Sequence, residues 1–586
     1  MYLPPENMYR LRSASIFLVA ALLVGVWGSG CTRTVIQEVA APRPVTAENG
    51  MVVSARMEAS QAGLEILKQG GNGVDAAVAV GFALAVVHPA AGNVGGGGFM
   101  VIRFADGEAT TFDYREKAPA AARSTMYLDT TGAAISRLSR EGHLASGVPG
   151  SPAGLLLAHQ RYGELPLKDV IAPAIRLADK GFRLSSDNAA GFNRRYRTWS
   201  QFESTKKYFT KGSPDRQYQP GELFVQEDLA DILRRIRDRG HDGFYRGETA
   251  ELIAAEMERG GGLITMEDLA AYEAVEREPV IGSYRGHKIV AMRPPSSGGI
   301  ALIQLLNAVE PHDIRGLGYH SSSTIHLMGE AMRRVYADRA EWLGDPDYFD
   351  VPLEALIEKS YMRERMSDFD PYEADFSADI MHGEPLAVES TETTHYSVVD
   401  TEGNAVSVTT TINGSYGSDV VVDGAGFFLN NEMDDFAVKP GVPNMYGLLG
   451  SQANAIEPGK RMLSSMTPTI LEDPEGRLFM VIGSPGGSRI ITIVFQVIMN
   501  VIDHRMDIQE AVSARRVHHQ WLPDVLEHEA LALPEDVQRN LIERGWALDA
   551  EGRWGRADGI TVHHDGDVVQ MQGGADPRGE DVAVGF

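Results

Sequence analysis

Residues 391–397, Thr391-Glu392-Thr393-Thr394-His395-Tyr396-Ser397, could hold a nucleophile. A threonine hydroxyl attacks weakly unless a base sits beside it. One way to supply the base is to make the threonine the first residue of a chain. Its own α-amine, with a pKa of ~7.7–8, can then take the proton near neutral pH. That requires a cut in the precursor. Thr393 can make the cut by attacking the carbonyl of Glu392, giving an ester that water opens. Taken alone, the segment is also an ordinary Thr-rich strand start.

A second element is the loop Gly483-Ser484-Pro485-Gly486-Gly487-Ser488, set between two apolar runs. Adjacent glycines let consecutive backbone N–H groups point at one spot without Cβ interference. At a helix N-terminus such donors suit a developing oxyanion; alone, the loop also reads as a simple glycine turn. It is not a P-loop, because no Gly-Lys-Ser/Thr follows. A third element is a set of polar residues fit for an amino-acid zwitterion. Arg115 can grip a carboxylate with two N–H groups, and Ser464 and Ser465 can add hydroxyl donors. Asn413, Glu432 and Asp435 offer acceptors to an ammonium group. Each alone is more often a surface residue, and the set counts only jointly.

These residues need elements to hold them. Apolar positions in 57–68 fall at helical spacing, and Gly70-Gly71 can end that helix. Residues 74–87 are apolar nearly all round, which predicts a buried helix. Residues 99–104 and 109–114, joined at Asp106-Gly107, read as a β-hairpin, and the glycines at 95–98 before it as close backbone packing. From 149 to 381 the pattern is mainly helical, with charged faces; 325–342 sets Arg and Glu opposite an apolar stripe. After 391 the period becomes strand-like, at 396–400 and 404–412. Residues 478–482 read as a buried strand, and 490–501 as an apolar helix or strand. Helices followed by strands imply a layered α/β or α+β domain.

The chain has 586 residues, 43% of them hydrophobic, and a formal net charge of -26. The length predicts one large or two medium domains, and the apolar content excludes disorder. The acidity argues against nucleic acid as a partner. It also means that a site for an anion must carry its own Arg or helix N-terminus. Arg10 and Arg12 precede an apolar run at 16–27, about 12 residues long, a signal-peptide length and short of the ~20 of a spanning helix. Cys31, the only cysteine, follows directly. It resembles the acylated cysteine of bacterial lipoproteins, although Gly28 stands where such signals usually carry Leu. Lipidation, plain signal cleavage and an uncleaved anchor all remain open. Residues 32–44 read as a flexible tether, so the protein is expected to be exported, periplasmic and, if lipidated, membrane-anchored through Cys31.

Together the motifs resemble the γ-glutamyltranspeptidase family of N-terminal-nucleophile hydrolases. The resemblance covers nearly the whole mature chain, through GNGVDAA at 71–77, GGGGFM at 95–100, YREKAP at 114–119 and GVPG at 147–150. It continues through GLITMEDL at 262–269, PPSSGG at 294–299, TTHYS at 393–397 and NNEMDD at 430–435. It ends with PTI at 468–470, GSPGGSR at 483–489 and HHQWLP at 518–523. It implies an α+β fold, the four-layer αββα sandwich, formed jointly by a large subunit (45–392) and a small one (393–586). Thr393 matches the autoprocessing and catalytic threonine, and Thr411 the threonine that orients it. Arg115, Ser464 and Ser465 match the residues holding the substrate α-carboxylate, and Asn413, Glu432 and Asp435 those holding its α-amino group. Gly486 and Gly487 match the oxyanion-hole amides, and Tyr446 lies in 440–460, which matches a lid loop that some members lack. Bacterial members often carry Gln at 432; the extra charge of Glu432 is expected to favour an ammonium, while Arg115 gives the acidic protein a local positive pole. His395, His518 and His519 receive no role, and neither metal nor cofactor is implied. The implied reaction passes the γ-glutamyl group of donors such as glutathione to water or to amino-acid or dipeptide acceptors. Two alternatives stay open: an acylase of the same fold acting on glutaryl β-lactams, and a non-catalytic surface lipoprotein. The sequence leaves oligomeric state and salt adaptation undecided.

Overall fold

The computed structural model describes residues 42–381, 393–439, 451–566 and 568–586. Cys31, the tether up to residue 41, Glu392 and Tyr446 lie outside these. Among the described residues, two seven-stranded antiparallel sheets stack face to face. The first runs Val45–Ala47, Val568–Gly574, Asp558–Asp565, Leu478–Gly483, Thr469–Glu472, His287–Ala291, Val280–Tyr284. The second runs Val582–Gly585, Met51–Ser54, Thr394–Val399, Ala405–Thr411, Gly97–Arg103, Ala109–Asp113, Val275–Arg277. Both sheets take strands from both sides of the 392–393 bond.

Period-2 alternation sorts the second sheet's side chains. Val52, Tyr396, Val398, Val406, Val408, Met100 and Ile102 pack outward with the helices Met57–Lys68 and Gly73–Val87. On the other face, Ser397 donates to the Asp558 carbonyl (3.2 Å) and Ser407 to that of Ile482 (3.1 Å), tying the two sheets together. The fully buried Gly73–Val87 helix starts on Asn72, whose side chain accepts from Val74 and Asp75 N–H while Asp75 returns a bond to Asn72 N–H. The outer face of the first sheet is covered by the helices Gly298–Val309 and Arg489–Ile502, with Ser322–Trp342 packed beside them. The result is the four-layer αββα sandwich of an α+β fold. The hairpin, the buried helix and the strands around 396–412 form as their patterns predict, and 489–502 is a helix.

Two features depart from the sequence reading. Besides the two-residue pair Phe182–Arg183 and Leu223–Phe224, three longer strands, Val275–Arg277, Val280–Tyr284 and His287–Ala291, interrupt the stretch read as mainly helical. They are three to five residues long, too short for much alternation to mark them, and Val275–Arg277 and Val280–Tyr284 are edge strands. The charged face of Ser322–Trp342 is buried: Glu330, Arg333, Arg334, Asp338 and Arg339 are each at most 3% exposed. Arg334 pairs there with Glu330 one turn away (2.6 Å) and with the more distant Asp368 (2.8 Å) and Asp375 (2.6 Å), which compensate its desolvation.

The glycine run at 95–98 is close packing, as expected. A Cβ on Gly95 would lie 2.1 Å from the Phe428 carbonyl oxygen, and one on Gly96 2.1 Å from that of Thr411. Gly96→Ala must therefore push on the strand end that carries Thr411. A loss of about 1–3 kcal/mol is expected, seen as a lower urea midpoint with an unchanged m-value.

Candidate active site

Thr393 sits just before the strand Thr394–Val399, an interior strand with partners on both sides, and is 6% exposed. The pairing of Thr394 with Thr410 brings the next residue, Thr411, opposite Thr393. The Thr393 Oγ1 to Thr411 Oγ1 distance is 3.5 Å, and Thr411 Oγ1 accepts from Asn413 N–H at 2.8 Å. Asn413 takes φ 68°, a left-handed value that Asn tolerates better than most residues. Its amide donates to the Asn431 carbonyl (3.0 Å), and the Asn431 side chain accepts from Gly414 N–H (2.9 Å). Asn430 fixes the same loop by donating to the carbonyls of Gly95 and Gly147, both at 2.8 Å. Hydrogen bonds thus connect the hydroxyl of Thr411 to the 3-10 turn Glu432–Asp435.

That turn presents carboxylates to Arg115. Arg115 Nη1 lies 2.5 Å from Glu432 Oε2, Nη2 lies 2.5 Å from Asp435 Oδ2, and Glu116 is 3.4 Å away. Arg115 also donates to the carbonyls of Met462 and Leu463, both at 3.2 Å, which places Ser464 and Ser465 beside it. Ser465 Oγ accepts from Arg339 (2.7 Å), and the Ser464 carbonyl accepts from Ser297 N–H (2.7 Å). The buried charged face of the Ser322–Trp342 helix therefore reaches the site. Glu432 Oε1, Glu116 Oε1 and Asp435 Oδ1 are buried and accept no hydrogen bond among the described residues.

The electrostatics revise two expectations. Arg115 is enclosed by three carboxylates, so it is not a net positive pole. Burial opposes its charge, but Glu432, Asp435 and Glu116 outweigh burial and raise its pKa. Burial also pushes Glu116 up to about 8, against the pull of Arg115. Glu432 is driven well above the usual carboxylate range by burial, with Glu116 and Asp435 adding like charge. Burial thus works against the extra negative charge expected of Glu432, and its ion pair with Arg115 works for it.

Gly486 takes φ 140° and Gly487 φ 59°, which glycine adopts without strain, just ahead of the helix Arg489–Ile502. Gly486 and Thr393 line one cavity of about 480 Å³. His395 packs against Gly483, where a Cβ would meet its ring at 2.3 Å, and burial lowers its pKa to about 3. His518 and His519 are buried as well, and burial lowers His519 to about 4. Among the described residues no group of three or more His, Cys, Asp or Glu side chains could hold a metal ion. Sequence reasoning missed the braces Asn430 and Asn431 and the third carboxylate, Glu116. All three stand inside quoted motifs, next to residues that were assigned roles.

The pattern that defines the family described as Gamma-glutamyltranspeptidase matches residues 59–586. The glutathione hydrolase proenzyme of Escherichia coli (strain K12) is 48% identical over 547 residues, covering 93% of each chain. The glutathione hydrolase proenzyme of Pseudomonas aeruginosa is 44% identical, covering 92% of this chain and 95% of that protein. Among solved structures, cephalosporin acylase from Bacillus halodurans superposes with a TM-score of 0.81 at 27% identity, covering 93% of this chain and 97% of that one. Helicobacter pylori gamma-glutamyltranspeptidase gives 0.56 at 46% identity, covering 59% of this chain and 97% of that one. With a family match over almost all of the described residues, this chain belongs to the gamma-glutamyltranspeptidase family.

Proposed function

We propose that the chain is a precursor that cuts itself before Thr393 and then transfers γ-glutamyl groups from donors such as glutathione. The observation that carries this reading is the placement of Thr393. It heads an interior strand, meets Thr411, and opens into the cavity that Gly486 lines. Thr393 Oγ attacks the donor's γ-carbonyl, and its proton passes to the freed α-amine. The N–H groups of Gly486 and Gly487 receive the oxyanion; losing one such donor typically costs ~2.7–4 kcal/mol. Collapse expels the amine, which takes the proton and leaves a γ-glutamyl ester on Thr393. Water, or the amine of an amino acid or dipeptide, then attacks the ester and restores the threonine. Arg115, Ser464 and Ser465 hold the donor's α-carboxylate, and Asn413, Glu432 and Asp435 its α-ammonium.

Release of p-nitroaniline from γ-glutamyl-p-nitroanilide, faster with glycylglycine, tests the reading. The name acylase occurs among similar proteins, including an Acylase ACY 1 proenzyme 40% identical to this chain. An acylase taking glutaryl groups, which lack the α-amine, has no use for the buried acceptors of Glu432 and Asp435. Turnover of glutaryl-p-nitroanilide in preference to the γ-glutamyl compound would therefore decide for that alternative. The protein is exported and anchored through a lipid on Cys31; Cys31→Ala should move it from the membrane fraction to the soluble periplasmic one.

Glu432 yields a pH prediction. Ionising it to meet an ammonium costs about 1.4 kcal/mol per pH unit below its pKa, which offsets much of the Coulombic gain. Glu432→Gln is therefore expected to change the donor KM at neutral pH by less than about tenfold. As pH rises toward the raised pKa, the wild-type KM should fall while that of the Gln variant stays flat, as read from initial rates between about pH 6 and 8.5.

A further inference from the structure

The cavity that Thr393 and Gly486 share has a charge opposite to that of the whole protein. Six arginines line it, Arg56, Arg194, Arg489, Arg553, Arg556 and Arg578, against two carboxylates, Asp187 and Glu551. Four of the arginines are held from behind. Arg56 pairs with Glu580, and Arg489 with Glu527 (2.6 Å) and Glu551 (2.8 Å). Arg578 pairs with Glu529 (2.6 Å) and Asp576 (3.0 Å), and Arg556 faces Asp581 at 3.9 Å. Arg194 and Arg553 differ: both are exposed, and neither has an ion pair among the described residues. They come from unrelated parts of the chain, the helix Ser186–Trp199 and the loop before Asp558–Asp565, yet meet at one cleft. A wall of guanidinium groups, in a chain of net charge -26, fits a bound anion.

We propose that Arg194 and Arg553, in the cavity that Thr393 lines and Arg115 does not, form a clamp for the free carboxylate of a peptidic amine. The inference rests on the γ-glutamyl reading and deepens it. The amine expelled in the first half-reaction and the amine entering in the second pass through equivalent tetrahedral species, so they occupy the same place. One carboxylate clamp then selects both the donor's leaving portion and the acceptor. The class selected is short peptides and amino acids with a free C-terminal carboxylate, in preference to their amides.

The test uses γ-glutamyl-p-nitroanilide as donor and compares glycylglycine with glycylglycinamide as acceptor, in the wild type and in an Arg194→Gln/Arg553→Gln double variant. Both side chains are exposed, so the double variant should fold. The wild type should show a KM for glycylglycine about tenfold below that for the amide, a preference that weakens as salt is added. In the double variant the ratio should fall to about one, and Arg553→Glu alone should reverse it. A wild type that does not distinguish the two acceptors, or a double variant that keeps the preference, overturns the clamp. If the wild type releases no p-nitroaniline even without acceptor, the γ-glutamyl reading itself has failed, and the clamp with it.

Discussion

Thr393→Ala is expected to yield one uncut chain that releases no γ-glutamyl group. Two losses combine. The hydroxyl that would open the 392–393 bond is gone, and no new α-amine is produced to serve as base. Removing a covalent nucleophile typically costs on the order of 10⁶-fold in kcat, and here the absence of the cut adds to it. A denaturing gel and an intact mass check the first loss, and p-nitroaniline release checks the second. Thr393→Ser, which keeps a hydroxyl, should still cut, only more slowly. A Thr393→Ala protein that separates into two bands would show that some other residue makes the cut.

Arg115→Ala should damage the protein in two measurable ways. Glu116, Glu432 and Asp435 would be left buried without their shared cation. Breaking a buried ion pair from one side typically costs about 3–5 kcal/mol. The sign with pH follows from the direction of the shifts. All three carboxyls already have raised folded-state pKa values, and losing Arg115 raises them further. Such groups contribute stability below their unfolded pKa and lose it as pH rises through the folded one. The Tm deficit of the variant should therefore be small near about pH 5 and larger near about pH 8. Its kcat/KM for γ-glutamyl donors should fall by about 10²–10³-fold from the loss of a two-point carboxylate grip. Arg115→Lys should recover little, since a single ammonium cannot reproduce the planar fork. A uniform Tm deficit at all pH values would contradict the charge argument.

Local patterns carried a large part of this structure. The period-2 runs around Thr394–Val399 and Ala405–Thr411, the wholly apolar Gly73–Val87 and the double glycine before Arg489 each announce themselves within a dozen residues. Thr393, Arg115 and the turn at 432–435 stood out by residue type, and the fold brings them into one hydrogen-bonded region. What stayed hidden depends on long-range contact. The charges of Ser322–Trp342 look like an ordinary polar face until Asp368, Asp375 and Asp524 come to cover them. The upward shift of the Glu432 pKa could not be foreseen either, because it follows from burial among neighbours far apart in sequence. The arginine-lined cleft draws on positions from 56 to 578, and no window of sequence displays it.

The interleaving of the two sheets bears on what happens if the processed enzyme is ever unfolded. Thr394–Val399 is bonded to Met51–Ser54 on one side and to Ala405–Thr411 on the other, so after a cut at 392–393 neither fragment holds a complete sheet. An intact precursor can refold as a single molecule at any dilution. Two severed fragments must first find each other, so their recovery should slow as the solution is diluted and compete with clumping. Cutting thus makes assembly a one-time event, and the mature enzyme persists by resisting unfolding rather than by reversing it.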